Sequence, residues 1–269
     1  MAQQGYQYEE NVAKALGKRK WVKPGYQTAG ARSDRPDLDL FVGGEEYGCE
    51  LKKNLASAGS LVIKYTNPTG TSGSFSYGSV EGHLEKEFIK ELGIMNRVLQ
   101  QIKTKWTKPL WIDHNRDAAW LKRWQKAGRP NLQARYERDL ENCPDINCQL
   151  SSTSIEEYYN LKNTYYLNVG THGFFLLGSS DPAKLNRHAN PQIPLWRDSH
   201  TAFLRIRIQS KGITKAAAAE KKSKDPTGGQ GYQITMEMQF KSVKVSPYNI
   251  GPLVSKDSPS IQENKIILP

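Results

Sequence analysis

Long apolar runs are missing from this chain. No stretch reaches the roughly 18 consecutive apolar residues that a membrane span needs, so no membrane partner is expected. The opening segment, MAQQGYQYEENVAKAL, has no basic region leading into an apolar one and does not read as a secretory leader. Cysteine is scarce and odd in number: Cys49, Cys143 and Cys148 are too few for a disulfide scaffold and favour a reducing, intracellular and cytoplasmic setting. Cys143 and Cys148 have no second close Cys or His pair beside them, so zinc is not expected. His114, His172 and His188 stand singly, without HxxxH or HNH-like spacing. Gly170-Thr171-His172-Gly173 is followed by no Lys-Ser/Thr and is no phosphate loop. Helix-turn-helix, zinc-finger and helicase patterns are absent, as is any internal repeat.

Acidic residues are also in deficit. There are 27 Asp and Glu against 38 Lys and Arg, a formal charge of +11, which points to an anionic partner, nucleic acid being the commonest. The surplus is clustered. Between Leu84 and Leu140 there are 13 basic residues against 7 acidic, and between Arg205 and Lys224 there are seven against one. Two such stretches favour an electrostatic contact surface over diffuse solubility.

What is present is a mixture of helix and strand periods. Glu9, Val12, Ala13 and Leu16 fall on one face of a helix over Tyr6 to Leu16, ended by Gly17 and followed by the basic turn Lys18, Arg19, Lys20. In RPDLDLFVGGEEYGCELKKN, Leu38, Leu40 and Val42 alternate with polar or aromatic neighbours, and Tyr47 to Lys53 supply a second strand. A tight turn centred on Gly44-Glu45 pairs Asp39 with Glu50 and Asp37 with Lys52. Leu38, Leu40, Val42, Cys49 and Leu51 then share the core side, and Asp37, Asp39, Glu50 and Lys52 the other. Leu61-Val62-Ile63 reads as a third strand and NPTGTSGSFSYGS as a loop. His83 to Trp106 reads as a long helix with Leu84, Phe88, Leu92, Met95 and Leu99 on one side, and helical, basic sequence continues to about Leu140. Tyr165 to Gly178 reads as two strands around a Gly-containing turn. Thr201 to Ser210 and Tyr232 to Phe240 alternate as antiparallel strands, joined by a basic connection.

The hairpin is where chemistry gathers. Hydrolysing a phosphodiester needs a held cation, an activated water and relief of charge on the leaving oxygen. Hard cations such as Mg²⁺ take carboxylate oxygens. Asp39 and Glu50 on adjacent strands, with Lys52 two residues past Glu50 on the same face and Glu9 on the preceding helix, form such a set. Two aspartates beside a glutamate repel one another unless a cation sits between them. A solvated hairpin face with alternating charges is the competing reading.

These residues resemble the PD-(D/E)XK nuclease superfamily, through PD-x-D followed by ELK with a glutamate-bearing helix before it. The resemblance covers roughly residues 5 to 65. It implies a restriction-endonuclease-like α/β (α+β) fold, a central mixed β-sheet flanked by helices, and Mg²⁺- or Mn²⁺-dependent cleavage of DNA. Asp39, Glu50 and Lys52 then take the catalytic roles. Glu9 matches the helical glutamate, and Asp39, Glu50 and Glu9 would hold the metal. Asp37 follows Pro36 and matches the literal PD, whereas Asp39 sits better opposite Glu50. Glu10 is the lesser alternative to Glu9 because it points toward solvent. The expected organisation is one domain over 1–269, with a catalytic core over 1–80, a basic helical insertion over about 81–150, and C-terminal strands over 151–269 completing the sheet. The expected activity is that of an endonuclease or exonuclease of phage or mobile-element type, with DNA as partner and a homodimer compatible with it. A Holliday-junction resolvase, an RNA nuclease of the same fold and a non-catalytic basic nucleic-acid-binding protein are the alternatives.

Overall fold

The computed structural model describes residues 2–26, 28, 35–55, 60–67, 73–77, 87–88, 90, 93–112, 118–128, 130–151, 153–216 and 231–251. The fold is α+β, and the described residues form two sheets where the sequence suggests one. The first, of order β1-β2-β6-β7, joins β1 (Leu38–Val42), β2 (Glu45–Lys52), β6 (Thr164–Val169) and β7 (Gly173–Leu176). The second, of order β4-β3-β9-β8-β5, joins β3 (Ser60–Thr66), β4 (Ser74–Tyr77), β5 (Ile146–Gln149), β8 (Thr201–Ser210) and β9 (Tyr232–Lys241). The C-terminal strands therefore divide: β6 and β7 complete the sheet begun by the hairpin, while β8 and β9 build a separate antiparallel one.

Helix α1 (Ala2–Gly17) covers one face of the first sheet. Its buried stripe is Tyr8, Val12 and Leu16, which pack with Leu38, Leu40, Cys49, Leu51, Tyr166 and Phe174. Glu9 flanks that stripe and is buried, whereas Glu10 is exposed. Gly17 does not supply the left-handed residue that ends the helix. Trp21 N–H bonds to Leu16 O and Lys20 N–H to Gly17 O, with Lys20 at φ 63°, so the turn is a Schellman closure with lysine where glycine is usual. A left-handed lysine costs on the order of 1 kcal/mol.

The other face of the first sheet enters a larger core. Leu167, Val169 and Phe175 pack there with the inner face of the second sheet and with α2 (Ile94–Lys105), α4 (Leu132–Asn142) and α5 (Ser154–Asn160). Being buried on both faces, β6 and β7 carry nearly continuous apolar sequence rather than alternation. Asn168, a fully buried polar residue of β6, is satisfied: its Nδ2 donates to Tyr8 Oη at 2.8 Å and its Oδ1 accepts from Ile250 N–H at 3.4 Å. That bond fixes α1 against the sheet immediately beside Glu9.

Two local expectations change. Of the long helix over His83 to Trp106, the described residues Glu87, Phe88 and Lys90 are helical, with Phe88 buried as expected, and after Gly93 in a left-handed conformation a helix runs from Ile94. Its buried stripe is Ile94, Val98 and Ile102, with Met95 and Leu99 at the flank; Leu84 and Leu92 lie outside the described residues. Downstream, the basic helical sequence forms α3 (Ala118–Lys126) and α4. The Gly- and Ser-rich segment contains a strand, β4, in which Phe75 and Tyr77 alternate with serines. The basic connection between β8 and β9 lies outside the described residues from 217 to 230. Cys143 and Cys148 are buried free thiols. Among the described residues no helix is long and apolar enough to cross a membrane.

Candidate active site

The β1–β2 turn sets the geometry. Val42 pairs with Glu45, so the two turn residues are Gly43 (φ 63°) and Gly44 (φ 93°). A two-residue hairpin turn with positive φ at both positions suits Gly-Gly, whereas centring it on Gly44-Glu45 would force a glutamate into that conformation. The register consequently differs from the expected one. Asp39 faces Gly48 and Leu38 faces Cys49, which brings Asp37, one step beyond the ladder, level with Glu50. The shift is two residues along the partner strand, so each side chain keeps its face. Asp39, however, lies about 7 Å further along the strand than the position facing Glu50.

Asp37 and Asp39 accordingly occupy different surroundings. Asp37 is buried, and its Oδ2 accepts a hydrogen bond from Leu51 N–H at 2.9 Å. Burial, and then the charge of Glu50, push its carboxyl up to about 6, against the opposing pull of Lys52. Asp39 is half-buried on the edge strand, and its backbone N–H donates to Tyr26 Oη at 3.0 Å. Burial and the charge of Glu46 raise its carboxyl, offset by Arg35 and Lys23. Asp39 is thus not the aspartate that meets Glu50, as the turn on Gly44-Glu45 had implied; Asp37 is.

Glu50 is 3% exposed and sits between two lysines. Lys52 Nζ donates to its Oε1 at 2.5 Å, Lys162 Nζ to its Oε2 at 3.1 Å, and Tyr159 Oη to Oε1 at 3.4 Å. Burial alone would raise the Glu50 carboxyl, but the two ammonium groups outweigh it and hold it below the ordinary carboxylate range. Burial works against the charge of Lys52, yet Glu50 and Asp37 keep it firmly protonated. Lys162 lies 5.7 Å from the Tyr158 ring and 5.4 Å from the Tyr159 ring, both on α5.

Glu9 arrives from α1. Burial and then the charge of Asp37 push its carboxyl up to about 7, with Lys52 opposing. Its Oε2 is buried and has no hydrogen-bond partner among the described residues. Glu10, the lesser candidate, is exposed and accepts from Gln7 Nε2 at 3.5 Å.

Glu9, Asp37, Glu50 and Lys52 therefore form one electrostatic group at the end of the hairpin, with Lys162 and Tyr159 closing it from the α5 side. Sequence reasoning did not find these last two. Lys162 stands in the short connection between α5 and β6, where no periodicity marks it, and only the parallel pairing of β2 with β6 brings it to Glu50. Among the described residues no three His, Cys, Asp or Glu side chains already stand as a metal cage. The donor set nonetheless has the chemistry of a hard-cation site: three buried carboxylates, one carrying an orphaned oxygen and two held partly protonated near neutrality. His172 bonds to Thr171 Oγ1 and stands apart from this group. The chain matches no family model, no curated protein and no solved structure.

Proposed function

We propose that this protein is a divalent-metal-dependent nuclease acting on DNA, with Glu9, Asp37 and Glu50 as the metal-holding acids and Lys52 beside the reacting phosphate. The observation that carries the reading is the buried Glu9 Oε2. An acid oxygen removed from water without a partner is costly, and it lies in the same electrostatic group as two further buried carboxylates. A hard divalent cation bound there supplies polarisation of a phosphate oxygen and eases deprotonation of a water.

The chain's own residues do the rest. Glu9 and Asp37 surrender their protons near neutrality and present anionic oxygens. Lys52, held protonated by Glu50 and Asp37, steadies negative charge that develops on the phosphate. Lys162 keeps Glu50 ionised when Lys52 turns to substrate. The +11 charge supplies non-specific attraction to the phosphate backbone.

The test is a panel of linear, single-stranded, supercoiled and branched DNA with Mg²⁺ or Mn²⁺, read on a gel, with chelator controls. Glu50→Ala and Lys52→Ala should abolish cutting while DNA binding persists; cutting that survives both changes sinks the assignment. A second reading, a nucleic-acid-binding protein without catalysis, draws on the neutralisation of Glu50 by two lysines. It gains if no metal and no DNA form supports cutting. Preference for branched DNA would single out a junction resolvase.

A further inference from the structure

A cavity of about 790 Å³ opens between the end of α1, the basic turn and the edge strand β1. Its volume falls in the range of pockets that enclose small molecules, roughly 300–1,000 Å³. Lys14, Lys20 and Lys23 line it together with the aromatic rings of Tyr26 and Phe41, and Glu10 is the acid on its wall. Lys23 is engaged, bonding to Glu46 at 2.7 Å and lying 5.5 Å from the Phe41 ring. Lys14 and Lys20 are exposed and form no ion pair among the described residues. The pocket is tied to the acids through Tyr26, whose hydroxyl donates to Asp37 O at 3.4 Å and accepts from Asp39 N–H at 3.0 Å.

We infer that this cavity seats one nucleotide of a nucleic-acid strand, its base against Tyr26 and Phe41 and its phosphate on Lys14 and Lys20. The inference rests on the nuclease reading for its relation to the cleaved bond, but the binding itself does not require cleavage. Aromatic faces accept any base by stacking, and lysines at the rim track the backbone. A second observation comes from the backbone: Lys20 holds the left-handed position of a helix closure that glycine would fill without strain. What lysine adds at this position, and glycine would not, is an ammonium group on the cavity wall.

That strain also supplies the experiment. Lys20→Gly removes the cation and relaxes the turn, so the fold is retained and the melting temperature stays equal or rises. With metal chelated, a fluorescein-labelled single-stranded oligonucleotide of about 20 nucleotides is titrated by anisotropy against wild type and variants. Lys20→Gly should weaken binding about fivefold or more and reduce the dependence of log K on log salt by about 0.7. Phe41→Leu, which removes a stacking face, should weaken binding about fivefold. The control Lys64→Ala, an exposed lysine on β3 of the second sheet and outside both basic stretches, should stay within about twofold. Deoxyadenosine monophosphate should compete only far above strand concentrations. Unchanged affinity in Lys20→Gly, or an equal loss in the control, overturns the proposal. Displacement by the mononucleotide as effective as by the strand would make this a free-nucleotide pocket and overturn it too. Strand binding at the pocket without any metal-dependent cutting would fail the nuclease reading alone.

Discussion

Asp37 Oδ2 accepts the Leu51 backbone N–H at 2.9 Å, which makes this side chain a continuation of the β1–β2 ladder after its last backbone pair, Leu38 with Cys49. The bond holds the carboxylate level with Glu50, whose charge helps to raise it. Asp39 belongs to the edge, near Lys23 and Glu46. Asp37→Asn should therefore lower Mg²⁺-dependent cutting on the order of a hundredfold or more, because an amide cannot replace an anionic ligand. Asp39→Asn should change it by less than about threefold, as peripheral substitutions do. Initial rates of plasmid nicking decide it, and equal loss in both variants would remove the distinction.

How much of this was legible depends on the range of the interaction. The hairpin's two faces, the helix that turns Glu9 inward, and the β8–β9 alternation are local periodicities, and the sequence carries them openly. The partner of Glu50 turned on which two residues form the turn. Gly43 with its free positive φ wins over Glu45, a choice that moves Asp37 rather than Asp39 into place. Lys162 was beyond reach because more than 100 residues separate it from Glu50, at |i−j| = 112, and nothing local marks it. The split into two sheets was hidden for the same reason: β3 is one of a run of short strands whose partner, β9, is non-local. Strand β4 was masked by serine and glycine, although Phe75 and Tyr77 keep the period of two.

Lys162 and Glu50 are both nearly inaccessible, with side chains 5% and 4% exposed. Lys162→Met keeps the stem and deletes the charge, leaving Glu50 with Lys52 and the Tyr159 hydroxyl. Removing one partner of a buried pair costs about 3–5 kcal/mol, and the retained Lys52 places this loss near the lower end. The carboxyl of Glu50 should also rise, so the acidic limb of the pH–rate profile should move to higher pH. Urea midpoints and the profile test these together. Unchanged stability with an unchanged acidic limb would show Lys162 to be a bystander.

Glu9 and Asp37 give the metal-free fold a defined pH dependence. Burial first, and neighbouring acids second, raise Glu9 from 4.5 to about 7 and Asp37 from 3.8 to about 6. Between those limits the native state binds more protons than the unfolded chain, so stability falls as pH rises. Glu50, whose carboxyl is depressed, contributes with the opposite sign and in a lower window, below the ordinary carboxylate range. Glu9→Gln should be more stable than wild type in chelator at about pH 8, with the difference shrinking toward about pH 5. Mg²⁺ should stabilise wild type at the higher pH with release of protons, and Glu9→Gln less. A Gln-minus-wild-type difference that does not vary with pH would refute the assignment of Glu9 as a strained acid.

Gly48 decides whether Asp37 can reach its place. It faces Asp39 across the hairpin and Thr164 on β6, at the point where the β2–β6 register shifts. A Cβ built there would lie 2.9 Å from Pro36 Cγ and would also collide with the carbonyl oxygen of Asn163. Neither a proline ring nor a backbone carbonyl yields as a flexible side-chain end does, so Gly48→Ala must displace the Pro36 segment. Overpacking of this kind costs about 1–3 kcal/mol. The displacement also draws Asp37 away from Leu51 N–H, and its functional cost should therefore exceed that of the milder Asp39→Asn. Amide exchange separates the two effects: the Leu51 N–H should exchange faster in Gly48→Ala and in Asp37→Ala, beyond any change in the β8–β9 amides that report the second sheet. If Gly48→Ala melts with wild type and Leu51 stays protected, then the close approach of Pro36 is not what seats the aspartate beside Glu50.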